Sequence, residues 1–332
     1  MINSKLPVST ALCTIIIPIY NEEETLPTLK ERLLDVVSTI DMQFEIILVD
    51  DGSRDLSATM IKEIVAVDGR FKSILLSRNF GHQIAITAGL DYAQGSCAVI
   101  MDADLQDPPE AIKDMVKLWR QGFDVVYGVR RTRAGETLFK KVTAKIFYRL
   151  IKKLVTFDIP TDAGDFRLLD RKVIDAFTRL REKNRYVRGL FSWIGFRHTP
   201  LLYDRAARFA GETKYPFSKM FKLAIDGVLS FSNQPLRFAL KLGSIMAISS
   251  LVGGFVALVL KISGGFVVRG WTSSIMFMAF TSGIQLTVLG VIGEYIARIN
   301  DEVKGRPLYF VREEIGNFSD GSVRKKVGPP KE

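Results

Sequence analysis

Two carboxylate side chains separated by a single residue follow one of the apolar runs of this sequence. They are Asp102 and Asp104, and the run covers residues 97–101. If that run is a strand, both side chains can converge on one hard divalent cation, because such cations prefer oxygen ligands and often bridge phosphate oxygens. Gln106 can add a neutral oxygen on the same side. The spacing alone is frequent in polar loops, so the position after an apolar run is what predicts a metal site.

A second acidic cluster, Asp50-Asp51-Gly52-Ser53, ends another apolar run. A carboxylate in this place can accept hydrogen bonds from a base or a ribose, and Gly52 permits a tight turn into the next helix. The cluster also suits a plainer role, because an aspartate or Ser53 can cap a helix that begins near Asp55. The residues alone leave both interpretations open.

A third polar segment, Pro18-Ile19-Tyr20-Asn21-Glu22, ends the first apolar run, and the ring of Tyr20 can flank a base there. The sequence contains neither GxGxxG nor GxxxxGK(S/T), so neither a dinucleotide-binding motif nor a P-loop is supported. The two histidines, His82 and His198, are isolated and are not predicted to bind a metal. His82 is interpreted as a capping or packing residue near the third strand.

Strands must position these clusters, and five short apolar runs predict them. The runs are residues 12–19, 45–50, 73–77, 97–102 and 123–129. Helical stretches of mixed polarity separate the runs, and this alternation predicts βαβ units with a mostly parallel sheet covered on both faces. Ligands bind beyond the carboxyl ends of the strands in such sheets. All three polar clusters fall at such ends, so an α/β fold with one ligand-binding edge is expected.

The composition points to a membrane. The chain has 332 residues, of which 47% are hydrophobic, and it combines a formal charge of +10 with a mean hydropathy of +0.15. This apolar content excludes a disordered chain, and two cysteines inside apolar runs exclude a disulfide scaffold. Positive hydropathy beside a large positive charge indicates that apolar and basic residues are segregated, which favours a membrane over nucleic acid.

Two charge-free segments, residues 242–260 and 271–293, are long enough to cross a bilayer as helices. The larger basic excess lies on their terminal sides, at Arg237 and Lys241 and again after residue 297. The positive-inside rule therefore predicts a cell-membrane protein with two spans, whose catalytic domain and both termini are cytoplasmic. No signal peptide is expected, since the apolar stretch at 11–19 is too short. Small residues on the first span are compatible with a homo-oligomer.

Basic residues line two further amphipathic stretches, residues 138–154 and 214–232. Beside two membrane spans, both are expected to lie in the headgroup layer and to contact anionic lipids. Residues 130–153 alone hold nine basic residues and one acidic residue, which is most of the net charge. The charge is therefore local, and it is not the diffuse footprint of a nucleic-acid-binding protein.

Together the motifs resemble those of glycosyltransferase family 2, which has the GT-A fold. The motifs of the family are TIIIPIYNEEETL, ILVDDGSRD, RNFGHQIAITAGLDYA and MDADLQDPPE, in that order. The later segments VVYGVRRTRAGE, DAGDFRLLDRKV and RFAGETKYPFSKM, followed by two spans, resemble the polyprenyl-phosphate glycosyltransferases, which include bactoprenol glucosyltransferases and dolichyl-phosphate mannosyltransferases. The resemblance covers about residues 12 to 310.

The resemblance implies a role for each matching residue. The residues expected to hold the donor nucleotide are Pro18, Tyr20, Asn21, Glu22, Asp50, Asp51 and Ser53. Those expected to hold Mg²⁺ or Mn²⁺ on the donor diphosphate are Asp102, Asp104 and Gln106. Asp165 occupies the place of a candidate catalytic base, with Asp162 a weaker substitute. The residues expected around the acceptor phosphate are Arg130, Arg131, Lys140, Lys141, Arg208 and Lys214.

The motifs, the apolar segments and the amphipathic stretches together predict domain boundaries. A GT-A catalytic domain is expected over residues 1–213, with the basic interfacial helix at 138–154 inside it. A juxtamembrane amphipathic helix at 214–235, two transmembrane helices within 236–298 and a cytoplasmic tail at 299–332 are expected to follow.

The expected reaction is the inverting, metal-dependent transfer of one hexose to the phosphate of a membrane polyprenol. UDP-glucose is the favoured donor, and GDP-mannose is the alternative. A non-catalytic membrane module that binds or moves lipid-linked sugar would not need Asp102, Asp104 and Gln106. A processive polysaccharide synthase is disfavoured, because the nearest match to Gln-x-x-Arg-Trp is Gln234-Pro-Leu-Arg-Phe, which lacks the tryptophan. Because a phosphate acceptor is largely dianionic at neutral pH, Asp165 is expected to orient groups more than to remove a proton.

Overall fold

The computed structural model describes residues 11–131, 163–204, 234–263 and 270–318. The strands are β1 (Leu12–Ile19), β2 (Gln43–Asp50), β3 (Phe71–Leu76), β4 (Cys97–Ile100), β5 (Val125–Arg130), β6 (Ala163–Asp170), β7 (His198–Tyr203) and β8 (Val311–Ile315). The helices are α1 (Leu26–Ser38), α2 (Ser57–Val67), α3 (His82–Tyr92), α4 (Ile112–Arg120), α5 (Arg171–Phe177), α6 (Val187–Ile194), α7 (Gln234–Ile262) and α8 (Trp271–Val303), with a short 3₁₀ turn at Pro109–Ala111. These elements form two compact units. The first unit comprises the elements before residue 225 and those after residue 305, and the second comprises the elements within residues 225–305.

The first unit is built on one eight-stranded sheet of order β7-β5-β6-β4-β1-β2-β3-β8. Strands β4, β1, β2 and β3 are parallel neighbours, as the βαβ alternation predicts. Their side chains are buried on both faces, and Ile15, Ile16 and Ile17 are all fully inaccessible to solvent. Continuous apolar runs of this kind are typical of strands that carry helices on both sides. The expected α/β fold with a mostly parallel central sheet is confirmed.

Strand β6 runs antiparallel to β4, and this reversal decides what lies at the carboxyl edge. Ile100 of β4 pairs with Arg167 of β6. When this antiparallel register is continued two residues past Ile100, beyond the end of β4, Asp102 lies opposite Asp165. An antiparallel strand thus brings its beginning to the edge where the parallel strands end, and the two aspartates become neighbours.

The C-terminal strap, residues 306–318, completes the sheet at its other end. Residues 299–332 were expected to be a tail, but Val311–Ile315 pair antiparallel with β3 as strand β8. The Tyr309 hydroxyl donates a hydrogen bond of 2.8 Å to the buried Asp91 carboxylate, and the Lys62 ammonium lies 2.7 Å from the Glu313 carboxylate. The expected boundary is therefore corrected, because the strap belongs to the catalytic unit and covers the free edge of β3, which would otherwise expose unpaired backbone groups.

We expect Tyr309→Phe to destabilise the catalytic unit. It removes the donor of a buried hydrogen bond to a charged acceptor, which contributes about 2 kcal/mol and corresponds to about 5 °C in the melting temperature of a domain of this size. Thermal unfolding of the detergent-solubilised protein, followed by tryptophan fluorescence, measures the shift. Lys62→Ala of α2 is the matched control, because it removes the exposed ion pair with Glu313 of the strap, which should contribute less than about 1 kcal/mol. Equal shifts for the two variants would contradict this account of the strap.

The second unit contains the two long apolar helices. Among the described residues, the windows Leu236–Gly253 and Met276–Val303 have the length and hydropathy to cross a membrane, and only 6% and 0% of their residues are buried. The predicted spans 242–260 and 271–293 lie within α7 and α8. The predicted amphipathic helix at 138–154 lies outside the described residues, as does almost all of the one at 214–235.

Candidate active site

The loops after β1 and β2 are joined by side-chain hydrogen bonds at the carboxyl edge. The Asn21 amide N–H donates to Ser53 Oγ at 3.0 Å, and the Arg54 amide donates to Asn21 Oδ1 at 2.8 Å. The Glu22 amide donates to Ser57 Oγ at 2.9 Å. Asn21 adopts a left-handed φ of 54°, which asparagine tolerates better than most residues. Both loops are therefore held in one shape before any ligand binds.

The adjacent aspartates after β2 differ in what they contact. Asp51 accepts hydrogen bonds from the backbone N–H groups of Phe80 and Gly81 at 2.7 and 2.9 Å, so it fixes the loop that leads into α3. Burial raises the pKa of Asp51, against the effect of these two bonds. Asp50 is fully buried, and its Oδ1 accepts from the Ser53 amide at 3.1 Å. Its Oδ2 has no hydrogen-bond partner among the described residues, which suits an acceptor for a donor group of a ligand.

We expect Gly52→Ala to disrupt this edge. Gly52 has a φ of +70°, and an added Cβ would lie 2.6 Å from the carbonyl carbon of Arg78. The methyl group would therefore displace the turn that holds Asp50 and Ser53, and we expect weaker donor binding together with a lower melting temperature. Gly69→Ala is the control, because nothing lies within 4 Å of its added Cβ. Isothermal titration with UDP-glucose tests the prediction, and wild-type affinity in Gly52→Ala would overturn it.

The predicted metal-binding residues lie directly after β4, where the chain makes a tight turn. The Gln106 amide donates to Asp104 Oδ1 at 3.1 Å, and Leu105 is buried with a φ of 57°. Asp102 Oδ1 accepts no hydrogen bond from any described residue. No group of three His, Cys, Asp or Glu side chains in the described ranges could hold a metal alone. A pair of carboxylates nevertheless fits Mg²⁺, which binds through one or two carboxylates together with substrate phosphates.

His82, the first residue of α3, lies between two aspartates of the site. Its Nε2 is 3.4 Å from Asp102 Oδ1 and 3.5 Å from Asp165 Oδ2, which makes both contacts ion pairs. Burial lowers the pKa of His82, but Asp102 and Asp165 outweigh it and raise the pKa to about 9. The interpretation of His82 as a packing residue is therefore incomplete. The sequence signal for a role of His82 in the site was its position shortly after β3, which places it at the carboxyl edge of the sheet.

Asp165 is held by an arginine that the sequence analysis did not identify. Arg188 of α6 donates from Nε and Nη2 to the two oxygens of Asp165, both at 2.8 Å. Burial would raise the pKa of Asp165, but Arg188 and His82 lower it well below its usual range. The pKa of Asp102 is instead raised to about 6, by burial first and then by the neighbouring carboxylates, against the charge of His82. Asp165 is thus a fixed anion at neutral pH.

The two predicted acceptor-side arginines within the described residues have different surroundings. Arg130 ends β5 beside Gly164, where an added Cβ would lie 3.7 Å from Arg130 Nη2, and its Nε has no hydrogen-bond partner among the described residues. Arg131 instead pairs with Asp204 at 3.5 Å on the surface. Lys140, Lys141, Arg208 and Lys214, together with Asp162, lie outside the described residues.

The other predicted donor-side residues surround the same edge. Pro18 is buried at the end of β1, where it pairs with Val49, and Tyr20 is half-buried directly after the strand. Glu22 accepts a hydrogen bond from the Thr25 hydroxyl at 3.1 Å. The structure therefore gathers the strand-end clusters, His82, Asp165 and Arg130 along one edge of the sheet. The ligand role of each residue stays a prediction.

Comparison with known proteins identifies the family to which this edge belongs. The family model described as glycosyl transferase family 2 matches residues 14–178. A Bacillus subtilis protein named uncharacterized glycosyltransferase YkcC is 50% identical over 91% of this chain and 94% of its own length. The chain belongs to glycosyltransferase family 2. Membership confirms the resemblance noted from the motifs, the GT-A fold and a glycosyltransferase activity.

Two further similarities concern named enzymes. The bactoprenol glucosyl transferase of Shigella phage SfV is 35% identical over 91% of this chain and 98% of its own length. A crystal structure of glucosyl-3-phosphoglycerate synthase from Mycobacterium tuberculosis, in complex with Mn²⁺, UDP-glucose and phosphoglyceric acid, is 18% identical. It covers 68% of this chain and 88% of that chain, with a TM-score of 0.46.

Proposed function

We propose that this glycosyltransferase moves one glucose from UDP-glucose to the phosphate of a membrane polyprenyl phosphate, with inversion at the anomeric carbon. The observation that carries the proposal is that one edge of the sheet gathers Asp50, Asp102 and Asp104 together with Arg130 and the Asp165–Arg188 pair. We assign the three aspartates to the donor and Arg130 with the Asp165–Arg188 pair to the acceptor. The choice of glucose and of a polyprenyl phosphate acceptor is supported by the name of the phage relative, bactoprenol glucosyl transferase.

Asp102 and Asp104, with Gln106 beside them, would hold Mg²⁺ or Mn²⁺ on the donor diphosphate. The bound cation supplies neutralisation of the negative charge that develops on the leaving diphosphate. Asp102 suits this role because its Oδ1 is buried and accepts no hydrogen bond within the described part of the chain. Burial first, and then the neighbouring carboxylates, raise the pKa of Asp102, and a bound cation would oppose both effects.

The acceptor needs orientation more than deprotonation. The second pKa of a phosphate monoester is about 6, so the acceptor carries its attacking oxygen as an anion at neutral pH. Asp165 is a poor base, because Arg188 occupies both of its oxygens and holds it ionised. Arg130 lies beside Gly164, and its Nε–H, which has no partner among the described residues, would bind a phosphate oxygen. Arg130 would therefore bind the phosphate, and the Asp165 carboxylate would orient the cationic side chains around it for in-line attack.

The two apolar helices would anchor the enzyme in the cell membrane, where a polyprenyl phosphate resides. The basic flanks favour a cytoplasmic catalytic unit and cytoplasmic termini under the positive-inside rule. The basic excess in residues 130–153 would contact anionic lipids near the acceptor.

The donor assay tests the proposal. Membranes containing the protein are given UDP-glucose, GDP-mannose or UDP-N-acetylglucosamine with polyprenyl phosphate, with and without a chelator. We expect a chloroform-soluble, acid-labile product from UDP-glucose alone, and its loss with the chelator. A product from GDP-mannose would assign the alternative donor. The absence of product with all donors would support a non-catalytic module, and repeated sugar addition would support a processive synthase.

A further inference from the structure

Helix α6 brings one guanidinium group to the site in a fixed geometry. Arg188 binds Asp165 through two parallel hydrogen bonds of 2.8 Å, from Nε to one oxygen and from Nη2 to the other. A planar guanidinium matches a carboxylate in this arrangement and fixes the plane of the carboxylate as well as its charge. Asp165 therefore faces His82 in one orientation, with its Oδ2 3.5 Å from Nε2 of the imidazole.

The helix that carries Arg188 is itself anchored to the donor side. The backbone N–H of Val187, which lies in the first turn of α6 and has no acceptor within the helix, donates to Gln83 Oε1 at 2.9 Å. Gln83 directly follows His82, so two consecutive residues of α3 contact the Asp165–Arg188 pair or its helix. On the other side, buried Phe191 stacks on Phe177 with ring centroids 4.6 Å apart. Arg188 therefore projects from a rigid element.

We infer that Arg188 is a positioning residue of the transfer reaction, and that it acts by holding the Asp165 carboxylate in the orientation that the acceptor phosphate requires. The inference rests on the proposed function. Without Arg188, the carboxylate is free to turn toward the other cationic group that contacts it, His82. A misplacement of about 1 Å near reacting atoms lowers rates about 100-fold, so the positioning has a measurable effect.

A second ion pair in the same unit provides a matched control. Arg181 donates from Nη1 and Nη2 to the two oxygens of Asp91 at 2.8 and 3.0 Å. The two arginine side chains are almost equally exposed, 34% for Arg181 and 35% for Arg188. Asp91 lies near the end of α3 opposite to His82, about 13 Å away along the helix axis at the usual rise per residue. Arg181→Ala thus removes the same kind of pair away from the site.

A double-mutant cycle of Arg188→Ala and Asp165→Asn tests the inference, with glucose transfer to polyprenyl phosphate as the readout. We expect Arg188→Ala to lower kcat about 100-fold while the KM for UDP-glucose changes less than about threefold. The double variant should be no slower than the slower single variant, because the two residues act as one unit. Arg181→Ala should lower the melting temperature and leave kcat unchanged. Added guanidinium ion should partly restore Arg188→Ala and leave the double variant unchanged.

Several outcomes would overturn the inference. Wild-type kcat in Arg188→Ala, or multiplicative losses in the double variant, would show that Arg188 does not act through Asp165. If Arg188→Ala does not fold, Arg188→Lys replaces it in the cycle, since a lysine keeps the charge but cannot form the two-point contact. Equal kcat for Arg188→Lys and the wild type would then contradict the inference. A wild-type enzyme without transfer activity on any donor would instead overturn the proposed function.

Discussion

Asp102→Asn is expected to lower kcat for glucose transfer about 1,000-fold, the largest effect of any single substitution considered for this enzyme. The substitution keeps the shape of the side chain and removes the charge that would hold a cation against the donor diphosphate. A metal ion contributes several kcal/mol to charge stabilisation in a transition state, and about 4 kcal/mol corresponds to this factor. The rate is measured at saturating UDP-glucose and Mn²⁺, so that weaker metal binding alone does not account for the loss.

The chelator response provides the internal check on that prediction. The chelator should reduce the wild-type rate by a similar factor and leave the residual rate of Asp102→Asn unchanged. Asp114→Asn is the control, because the exposed Asp114 of α4 pairs with the equally exposed Lys117 on the same helix. A rate within tenfold of the wild type in Asp102→Asn would remove Asp102 from the proposed metal site.

Asp50→Asn is expected to raise the KM for UDP-glucose about 30-fold with a much smaller change in kcat. The asparagine oxygen can still accept from the Ser53 amide, so the turn survives. The second atom becomes an amide donor in the place of the buried Oδ2, which would offer an acceptor to the nucleotide. A lost hydrogen bond to a buried charged group costs about 2 kcal/mol, which corresponds to this change in affinity.

The control for Asp50→Asn is Asp68→Asn. Asp68 precedes β3 at the opposite edge of the sheet and pairs with Arg70. Steady-state kinetics with varied UDP-glucose at fixed acceptor separates the two constants. An unchanged KM in Asp50→Asn would show that the unpaired oxygen does not face the donor.

The sequence predicts the central strands and the clusters at their ends because both depend on local patterns. A continuous apolar run followed by Asp102, or by Asp50 and Asp51, is visible without knowledge of the sheet order. The two apolar spans are equally local, since length and hydropathy define them. The family motifs then assign Asp165, which no local pattern identifies.

The site residues that the sequence does not predict come together only through pairing between distant segments of the chain. His82 stands outside any charge cluster, and Arg188 is one of several basic residues between 179 and 188 that no local pattern distinguishes. Both become neighbours of Asp165 only because β6 runs antiparallel between β4 and β5. The strap was missed for a similar reason. Its strand Val311–Ile315 contains Arg312, Glu313 and Glu314, which have no apolar alternation, and its pairing depends on the free edge of β3.

The choice of acceptor tests the central claim most directly. Purified enzyme is incubated with radiolabelled UDP-glucose and either polyprenyl phosphate or the unphosphorylated polyprenol of equal chain length, and the lipid product is weighed by mass spectrometry. We predict an acid-labile lipid that carries a single hexose, formed only from polyprenyl phosphate. Equal transfer to the unphosphorylated polyprenol, or release of free glucose without any lipid product, would contradict the proposed reaction.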